Sequence, residues 1–471
     1  MNSEIQLNKT VRIELESIDG DSSFHILDGQ SRICNWLYND LLDKAESIIK
    51  EVIQTGDSKL LSTVYSSYGL RNLVPELKKE KPFLKTVYSS HLKNTALRLA
   101  DAIKTHKNSK KVIRKGKVGW PKHRSWKKKW FSLFYEEPNK GYKVDYDKLR
   151  LSFGVDKNKK RISVTLKLKE AHLLLNQKTK NLRIVKEYGK YYAIFTIKVP
   201  IPEKKPVKRI IALDPNHKNL VYGVDSDGKS IEVEAPHYLK RKDKMLDELK
   251  SKRDRCQRKA HKVEVVDETG KPTGKIYYNP SRRWKKLDKT LEKAHRVVRD
   301  QKKNYMYTVA HKLCRNYDYI GIGDYTPNGN GITTSMRRAM NNRSLNGQFK
   351  ETLSWVAMKS GKTFVVYNEK GTTRTCHACG YVVQEGLLPS IRQWTCQGCC
   401  SEHIRDENAA INGLRIVLRD IQIKKEEAYV SLVPCSGLVS IKEQCAWRVL
   451  PSGVVTLCGG KNGMNHAALR N

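Results

Sequence analysis

The sequence lacks any long apolar run, and its acidic side chains are scarce relative to its basic ones. No stretch is long and apolar enough to span a bilayer, which argues against a membrane partner. The first residues, MNSEIQLNKTVRIELES, have no hydrophobic core of the secretory type, which argues against export. We therefore expect a cytoplasmic, nucleoid-associated protein if the source is prokaryotic, and a nuclear one if it is eukaryotic.

The shortage of acids leaves a large positive charge. The chain has 90 Lys and Arg against 49 Asp and Glu, a formal net charge of +41. Such a field repels itself in the compact state unless a polyanion neutralises it. Nucleic acid is the expected partner, and the excess is larger than a short duplex footprint requires. The length of 471 residues predicts two to four domains.

The eleven cysteines indicate reduced thiols and metal rather than disulfides, because the chain is long and basic and has no export signal. Seven of them are scattered, and we interpret these as small buried residues or incidental thiols: Cys34, Cys256, Cys314, Cys400, Cys435, Cys445 and Cys458.

Periodicity predicts a strand-rich amino-terminal part that contains a block of helices. Residues 5 to 16 and 141 to 200 alternate as strands do, and residues 26 to 105 have helical apolar spacing. The proline-interrupted stretch 201 to 208 is a predicted linker. Beyond it, residues 209 to 235 predict three strands in a meander, and YDYIGIGD at 317 to 324 predicts a buried strand that ends in an acid.

This order of elements is that of an RNase H-like α/β fold. Such folds carry acids on the first strand, at the end of the fourth and on a later helix, which here selects Asp214, Asp324 and Asp406. Converging carboxylates repel one another unless cations lie between them. We therefore expect two catalytic Mg²⁺ ions about 4 Å apart that activate water and stabilise the leaving oxygen of a phosphodiester.

Each acid has a plainer interpretation when taken alone. Asp214 precedes a proline and Asp324 precedes TPNGNG, so both fit turns, and Asp406 suits a helix amino terminus. Their order and setting favour the metal site, because two of them interrupt or end apolar strands, where an unpaired charge is costly.

Four cysteines have the spacing of a zinc site. CHAC and CQGC form C-x₂-C-x₁₆-C-x₂-C through Cys376, Cys379, Cys396 and Cys399. Four thiolates close the coordination sphere, so the single Zn²⁺ is predicted to be structural. We expect Cys400 to be a spare neighbour, and His377 and His403 to be surface residues.

Basic residues interleaved with aromatic ones predict contacts to nucleic acid, because aromatics stack on bases while cations hold phosphates. A solvated strand or helix face is the alternative. The candidates are Trp120, Lys122, Arg124, Trp126, Lys127 and Lys128 in WPKHRSWKKKWF, Arg282, Arg283, Lys285 and Lys286 in SRRWKK, and Arg337 and Arg338 in TTSMRRAM.

Taken together, IALDPN, TTRTCHACG, WTCQGC and RDENAAINGL resemble the TnpB-type nucleases of insertion sequences, the compact type V CRISPR effectors and the eukaryotic Fanzors. The motif match covers about residues 209 to 420. The resemblance implies an RNA-guided, Mg²⁺-dependent DNA endonuclease that pairs a guide RNA with double-stranded DNA beside a short flanking motif. It also implies cutting at a single RuvC-like site, a monomer or a homodimer on one guide RNA, and Asn408 as a neighbour of the metal ligands.

The resemblance further implies a domain layout. A wedge-like β-barrel would span 1–25 and 106–205 and be interrupted by a helical recognition lobe at 26–105. A RuvC-like domain would span 206–371 and 401–435, with a zinc ribbon at 372–400 and a tail of unknown role at 436–471.

One residue departs from the family pattern, in which the middle acid is usually Glu. Asp324 stands there, and we expect no nearby Glu to replace it, since the next downstream is Glu351. A cleavage-dead derivative would first show itself at this position. Two other functions therefore stay open, a guided DNA-binding repressor without cleavage and an unguided zinc-ribbon DNA-binding or recombination protein.

Overall fold

The computed structural model of the chain describes most of its length in two compact units. The described residues are 6–109, 118–124, 130–156, 158–204, 206–216, 219–236, 239–257, 260–266, 272–325, 345–387, 391–426, 446–449 and 455–458. The amino-terminal unit is Met1–Pro200 and the carboxy-terminal unit is Ile201–Asn471. The boundary falls at the start of the predicted linker.

The amino-terminal unit contains one seven-stranded sheet of order β2-β6-β7-β1-β5-β4-β3. Its strands are β1 (Gln6–Ser17), β2 (Ser132–Tyr135), β3 (Tyr142–Asp145), β4 (Lys148–Val155), β5 (Arg161–Leu168), β6 (Thr179–Glu187) and β7 (Lys190–Pro200). The long strand β1 pairs with β7 up to Glu14 and with β5 from Leu15, so it joins the two halves of the sheet. The described pairings leave β2 and β3 at the edges, and barrel closure stays a prediction.

The described residues between β1 and β2 form five α-helices, as the periodicity of 26 to 105 predicts. They are α1 (Ser22–Thr55), α2 (Leu61–Tyr65), α3 (Gly69–Asn72), α4 (Val74–Glu80) and α5 (Ser89–Ser109). Apolar residues recur on the inner face of α1 at Leu27, Leu37 and Leu41, and they share one core with Ile13 and Phe195 of the sheet. The helices are therefore packed onto the sheet rather than folded around a core of their own.

The carboxy-terminal unit contains a second seven-stranded sheet, of order β14-β13-β8-β9-β10-β17-β18. Its strands are β8 (Ile210–Pro215), β9 (Asn219–Asp225), β10 (Ser230–Glu234), β13 (Tyr319–Gly323), β14 (Thr363–Tyr367), β17 (Ala446–Val449) and β18 (Val455–Cys458). The meander β8-β9-β10 is antiparallel, and β13 is parallel to both of its neighbours. The strands β17 and β18 come from the predicted tail and extend this sheet beside β10.

Four helices and two hairpins complete the unit among the residues that the structure describes. The helices are α6 (Leu239–Gln257), α7 (Arg282–Asn316), α8 (Asn346–Lys359) and α9 (Arg405–Glu426); the hairpins pair β11 (His261–Val266) with β12 (Pro272–Asn279), and β15 (Gln393–Thr395) with β16 (Glu402–Ile404). Among the helices of the described residues, none has both the length and the apolar character that a membrane crossing requires.

Alternate residues of β8 face different helices, as the pleat requires. Ile211 and Leu213 belong to the core under α7 and α8, whereas Ile210 and Ala212 belong to the core under α9. Asp214 is the next alternate residue after Ile210 and Ala212. The strand therefore directs this acid to the face of the sheet that α9 covers.

Glycine on β13 permits the close approach of α9 to the sheet. A Cβ atom at Gly321 would lie 2.4 Å from Cγ2 of Val417 on α9, well inside van der Waals contact. We expect Gly321→Ala to lower the free energy of unfolding of the carboxy-terminal unit by about 1–3 kcal/mol through overpacking. Urea unfolding measures the change.

Gly347 is the matched control, because it lies in α8 and nothing stands within 4 Å of its added Cβ. Gly347→Ala should be neutral or slightly stabilising, since alanine favours helix. Equal destabilisation by the two substitutions would contradict the packing argument.

Candidate active site and metal centre

Two of the three predicted acids are held deep at the edge of the sheet. Asp214 near the end of β8 is 6% exposed, and Asp406 lies in the first turn of α9 with its side chain 13% exposed. Burial raises the pKa of Asp214 well above its usual range, and the charges of Glu369 and Asp406 raise it further, opposed by Arg405. The fold therefore brings Asp214 and Asp406 into electrostatic contact.

Glu369 is the acid that sequence reasoning missed. The parallel pairing of β13 with β14 sets Gly323 opposite Tyr367, so the residues that follow these strands leave the sheet side by side. The backbone N–H of Glu369 donates to Oδ1 of Asp324 at 3.1 Å. The expectation that no Glu lies near position 324 is therefore wrong. These residues are 45 apart in the chain and only the strand register joins them.

The carboxyl of Glu369 is directed inward. Its Oε2 atom is buried without a hydrogen-bond partner among the residues described, and a Cβ at Gly323 would lie 2.1 Å from it. Burial raises the pKa of Glu369 to about 7, with Lys350 opposing and Asp324 reinforcing the shift. An orphaned carboxylate oxygen beside a second buried acid is a setting that a hard cation fits.

Asp324 differs from the other acids, because it is exposed and its side chain accepts the Glu369 N–H. The acidic charges that raise the pKa of Asp214 are those of Glu369 and Asp406. Glu369 and Asp406 thus lie near enough to Asp214 to raise its pKa, and Asp324 accepts a hydrogen bond from the Glu369 backbone at the exposed rim.

The four predicted cysteines converge. Sγ of Cys376 lies 3.7 Å from Sγ of Cys399, and Sγ of Cys379 lies 3.5 Å from Sγ of Cys396. All four sulfurs lie within 4.8 Å of one another. A tetrahedron with Zn–S bonds of about 2.3 Å requires sulfurs about 3.8 Å apart, so the cluster fits Zn²⁺. Hydrogen bonds with Ser401 lower the pKa of Cys399 to about 6, which favours the thiolate that a metal needs.

Cys400 is a turn residue and not a ligand. In the first knuckle the N–H of Gly380 donates to the Cys376 carbonyl at 2.9 Å, and in the second the N–H of Cys400 donates to the Cys396 carbonyl at the same distance. Gly380 has φ 80° and Cys400 has φ 57°. The two residues hold equivalent left-handed positions, which glycine adopts without steric cost.

The prediction that His403 lies on the surface is wrong. His403 is 4% exposed, and its Nε2 lies 3.1 Å from Sγ of Cys376. Its ring packs against those of Trp394 and His377, the second of which is half-buried. The antiparallel pairing of β15 and β16 brings His403 opposite Trp394, a contact that cysteine spacing does not reveal.

Two amide side chains on α9 form hydrogen bonds with the backbone of the segment that leads into the first knuckle. Nδ2 of Asn408 donates to the carbonyls of Thr372 and Thr375 at 3.2 and 2.8 Å, and its Oδ1 accepts the N–H of His377 at 2.9 Å. Asn412 donates to the same two carbonyls at 2.9 and 2.7 Å. These hydrogen bonds of Asn408 go to the ribbon and the segment before it, and its predicted place beside the metal ligands stays a prediction.

The predicted nucleic-acid contacts fall in different settings. Trp120 is half-buried and donates to Glu46, Arg124 stacks on Tyr38, and Lys122 is exposed. The four basic residues at the start of α7 are all exposed: Arg282, Arg283, Lys285 and Lys286. Trp126, Lys127, Lys128, Arg337 and Arg338 lie outside the described residues.

Comparison with known proteins gives a consistent set of relatives. Residues 347–413 match the model of the Cas12f1-like TNB domain. A TnpB-like protein of Acanthamoeba polyphaga mimivirus is 32% identical over 145 residues, which is 30% of this chain and 27% of that protein. A Mycobacterium tuberculosis protein, provisionally named an RNA-guided DNA endonuclease, is 29% identical over 28% of this chain and 29% of its own. The aligned part is thus under a third of these relatives.

One solved structure shares the fold. Cas12f1, in a complex with single-guide RNA and target DNA, aligns with a TM-score of 0.53 at 13% identity, over 87% of this chain and 98% of its own. At this identity the similarity establishes the fold alone.

The knuckle geometry predicts opposite effects for two cysteines. Cys376→Ser removes a ligand, so we expect loss of bound zinc and a lower melting temperature, because zinc binding contributes folding free energy. Cys400→Gly should keep about one zinc per chain and raise stability by about 1 kcal/mol, since it relieves a left-handed backbone. Metal analysis and thermal unfolding measure both. Zinc loss in Cys400→Gly would overturn the assignment of the ligands.

Proposed function

We propose that the chain is an RNA-guided DNA endonuclease, a function supported by its similarity to TnpB-like proteins, to a provisionally named RNA-guided DNA endonuclease and, in fold, to Cas12f1. It pairs a guide RNA with target DNA beside a short flanking motif and cuts both strands at one RuvC-like, Mg²⁺-dependent site. The observation that carries this proposal is the group of carboxylates at the edge of the second sheet. Asp214 and Glu369 there have raised pKa values, and a bound cation would stabilise their charged forms.

The two units have different roles in this proposal. Strands β14-β13-β8-β9-β10 with α9 form the RNase H-like domain, and the four-cysteine ribbon is inserted before α9. The amino-terminal sheet with its inserted helices is the wedge and recognition lobe that engages guide RNA and DNA. Base pairing supplies sequence specificity, so the protein needs charge and shape more than base contacts.

Three carboxylates are proposed as the Mg²⁺ ligands: Asp214, Glu369 and Asp406. This revises the role of Asp324, which is proposed as a positioning residue because its side chain holds the backbone of Glu369. Aspartate and glutamate oxygens are the hard ligands that Mg²⁺ prefers. When bound, the metal ions supply an activated water and stabilise the leaving oxygen of the phosphodiester.

The protein groups around the carboxylates prepare this site. Gly323 leaves space for the Glu369 carboxyl, and Lys350 and Arg405 place positive charge near the acids. The Arg392 guanidinium lies 3.3 Å from both carboxylate oxygens of Asp406. These cations moderate the repulsion between the carboxylates before metal binds.

Substitution of single carboxyls tests the revised ligand set. Glu369→Gln and Asp214→Asn should each lower the cleavage rate at least about 10³-fold, since a lost metal ligand costs several kcal/mol of transition-state stabilisation. Asp324→Asn should lower it only about tenfold, the cost of weakening one hydrogen bond. Cleavage of a target plasmid by protein co-expressed with its guide measures the rates.

Guide-dependent target binding is measured alongside and should be unchanged in all three variants. If Glu369→Gln cuts at the full rate and Asp324→Asn does not cut, then Asp324 and not Glu369 is the third metal ligand. A wild-type protein that binds its target without cutting it would be a guided repressor.

The raised pKa of Glu369 predicts a pH-dependent stability of the metal-free protein. This carboxyl titrates at about 7 when folded, against its ordinary 4.5. Because the folded state holds the proton more tightly, the free energy of unfolding falls as pH rises from about 4.5 to 7. Glu369→Gln removes that loss and should be more stable than wild type at pH 8 by on the order of 2 kcal/mol.

Urea unfolding at pH 5 to 8, in buffer that contains neither Mg²⁺ nor a chelator, measures the difference, which should vanish near pH 4.5 and shrink when Mg²⁺ is added. A difference that stays constant across this range would contradict the assignment.

A further inference from the structure

We infer that Tyr367 is a positioning residue of the carboxylate site: its hydroxyl and its backbone carbonyl hold the segments that carry Asp214 and Glu369 at a fixed separation. The inference rests on the metal site of the proposed function and deepens it. Metal binding can be measured without any cutting of DNA, so the role of Tyr367 and the nuclease activity can fail separately.

Tyr367 is the last residue of β14, which is an edge strand of the second sheet. Among the strands that the structure describes, β14 pairs with β13 alone, so one ladder of hydrogen bonds holds this strand and the Glu369 that follows it. Tyr367 is 3% exposed and shares a core with Ile210 and Ala212 of β8. Its ring therefore extends from the edge strand over the face of the sheet that α9 covers.

The phenol of Tyr367 reaches β8, two strands away. Its hydroxyl donates to the carbonyl of Leu213 at 2.9 Å. This carbonyl belongs to the peptide unit that joins Leu213 to Asp214, so the hydrogen bond acts directly on the backbone of a proposed metal ligand. Strand β13 lies between β14 and β8 in the sheet, and the side chain of Tyr367 adds a direct connection between the two outer strands of the three.

The backbone of Tyr367 holds the segment that carries the second acid. The N–H of Asp324 donates to the Tyr367 carbonyl at 2.9 Å, and Oδ1 of Asp324 accepts the N–H of Glu369 at 3.1 Å. Tyr367 is thus bonded on one side to the peptide unit of Asp214 and on the other to the residue that fixes the Glu369 backbone. A shift of Tyr367 would change the separation of the two acids.

Two glycines leave the space that the ring occupies. A Cβ atom at Gly321 of β13 would lie 3.4 Å from Cδ1 of Tyr367, and a Cβ at Gly413 of α9 would lie 2.3 Å from its hydroxyl oxygen. The helix that carries Asp406 therefore packs directly against the phenol. Tyr367 contacts β8 and α9 and belongs to β14, so it touches every element that carries or precedes a proposed ligand.

The hydroxyl is the part of Tyr367 that packing alone does not require. Phenylalanine fills nearly the same volume, and a buried hydroxyl costs free energy unless it forms a hydrogen bond. Mg²⁺ demands near-ideal octahedral geometry at short metal–oxygen distances, so small displacements of its carboxylate ligands lower the affinity. The hydrogen bond to Leu213 supplies the positional control that such a site needs.

Metal affinity tests the role of the hydroxyl. We expect Tyr367→Phe to weaken Mn²⁺ binding to the full chain about tenfold, which corresponds to the loss of one hydrogen bond. Mn²⁺ is the probe because it takes the same oxygen ligands as Mg²⁺, and the free ion is measured by electron paramagnetic resonance. The variant Asp214→Asn defines the Mn²⁺ binding that does not involve the acids.

The same substitution should separate metal affinity from maximal rate. In guided cleavage of a target plasmid, we expect the Mg²⁺ concentration at half-maximal rate to rise about tenfold in Tyr367→Phe, because the acids are less well placed. The rate at saturating Mg²⁺ should fall by less than about threefold, since every metal ligand is still present.

Tyr317→Phe is the matched control. Tyr317 is also 3% exposed, and its hydroxyl donates to Oδ2 of Asp225 at 3.1 Å. Asp225 pairs with Ile211 near the start of β8, whereas Asp214 lies near the end of that strand. The control should therefore lower the free energy of unfolding at least as much as Tyr367→Phe does, and it should leave Mn²⁺ affinity unchanged.

Each outcome decides between the two proposals. Unchanged Mn²⁺ affinity in Tyr367→Phe, or equal weakening by Tyr367→Phe and Tyr317→Phe, would overturn the inference and leave the nuclease proposal intact. A wild-type chain that binds Mn²⁺ through Asp214 without cutting its guided target would contradict the nuclease proposal alone. A wild-type chain that binds no more Mn²⁺ than Asp214→Asn does would overturn both.

Discussion

The paired amides of Asn408 and Asn412 are the contact on which the carboxy-terminal unit depends most. Both donate to the carbonyls of Thr372 and Thr375, so the amino-terminal turns of α9 are tied to the segment between β14 and the first zinc knuckle. Thr372 in turn donates its hydroxyl to the Glu369 carbonyl at 2.9 Å. A short chain of hydrogen bonds thus connects the zinc cluster, the helix that carries Asp406 and the loop that carries Glu369.

This connection gives the four-cysteine cluster a physical role beside the acids. Buried carboxylates of like charge push apart, and the metal-free protein keeps them together only because the surrounding backbone is held firmly. The ribbon is small and has little core, so a zinc ion held by the four cysteines would supply the rigidity that its own packing does not. The predicted zinc site would therefore support the geometry of the acids without sharing a ligand with them.

Some positive charges of the molecule also stand in unfavourable places. The basic residues that open α7 lie at a helix amino terminus, where the helix dipole disfavours cations. Burial and the charge of Arg98 lower the pKa of Arg124. Both arrangements cost stability in the free protein and become favourable when a polyanion is present. The net charge of +41 is consistent with the proposed nucleic-acid partner.

Much of the candidate site follows from local sequence. The spacing of Cys376, Cys379, Cys396 and Cys399 predicts a zinc cluster because ligand geometry demands short knuckles, and apolar flanks single out Asp214. Glu369 and His403 could not be predicted in the same way. The first reaches the acids through the parallel register of β13 and β14, and the second through the pairing of β15 with β16.

The sequence by itself predicted the class of partner and a zinc site, and it determined the four cysteines that converge, the inserted helices and two of the acids at the sheet edge, since charge, spacing and periodicity are local properties. Only the tertiary structure brought Glu369 to these acids, and it left Asp324 exposed, where its side chain accepts the Glu369 N–H. The physical reason is that strand pairing joins residues distant in the chain, and burial at that junction decides which acid a cation can stabilise.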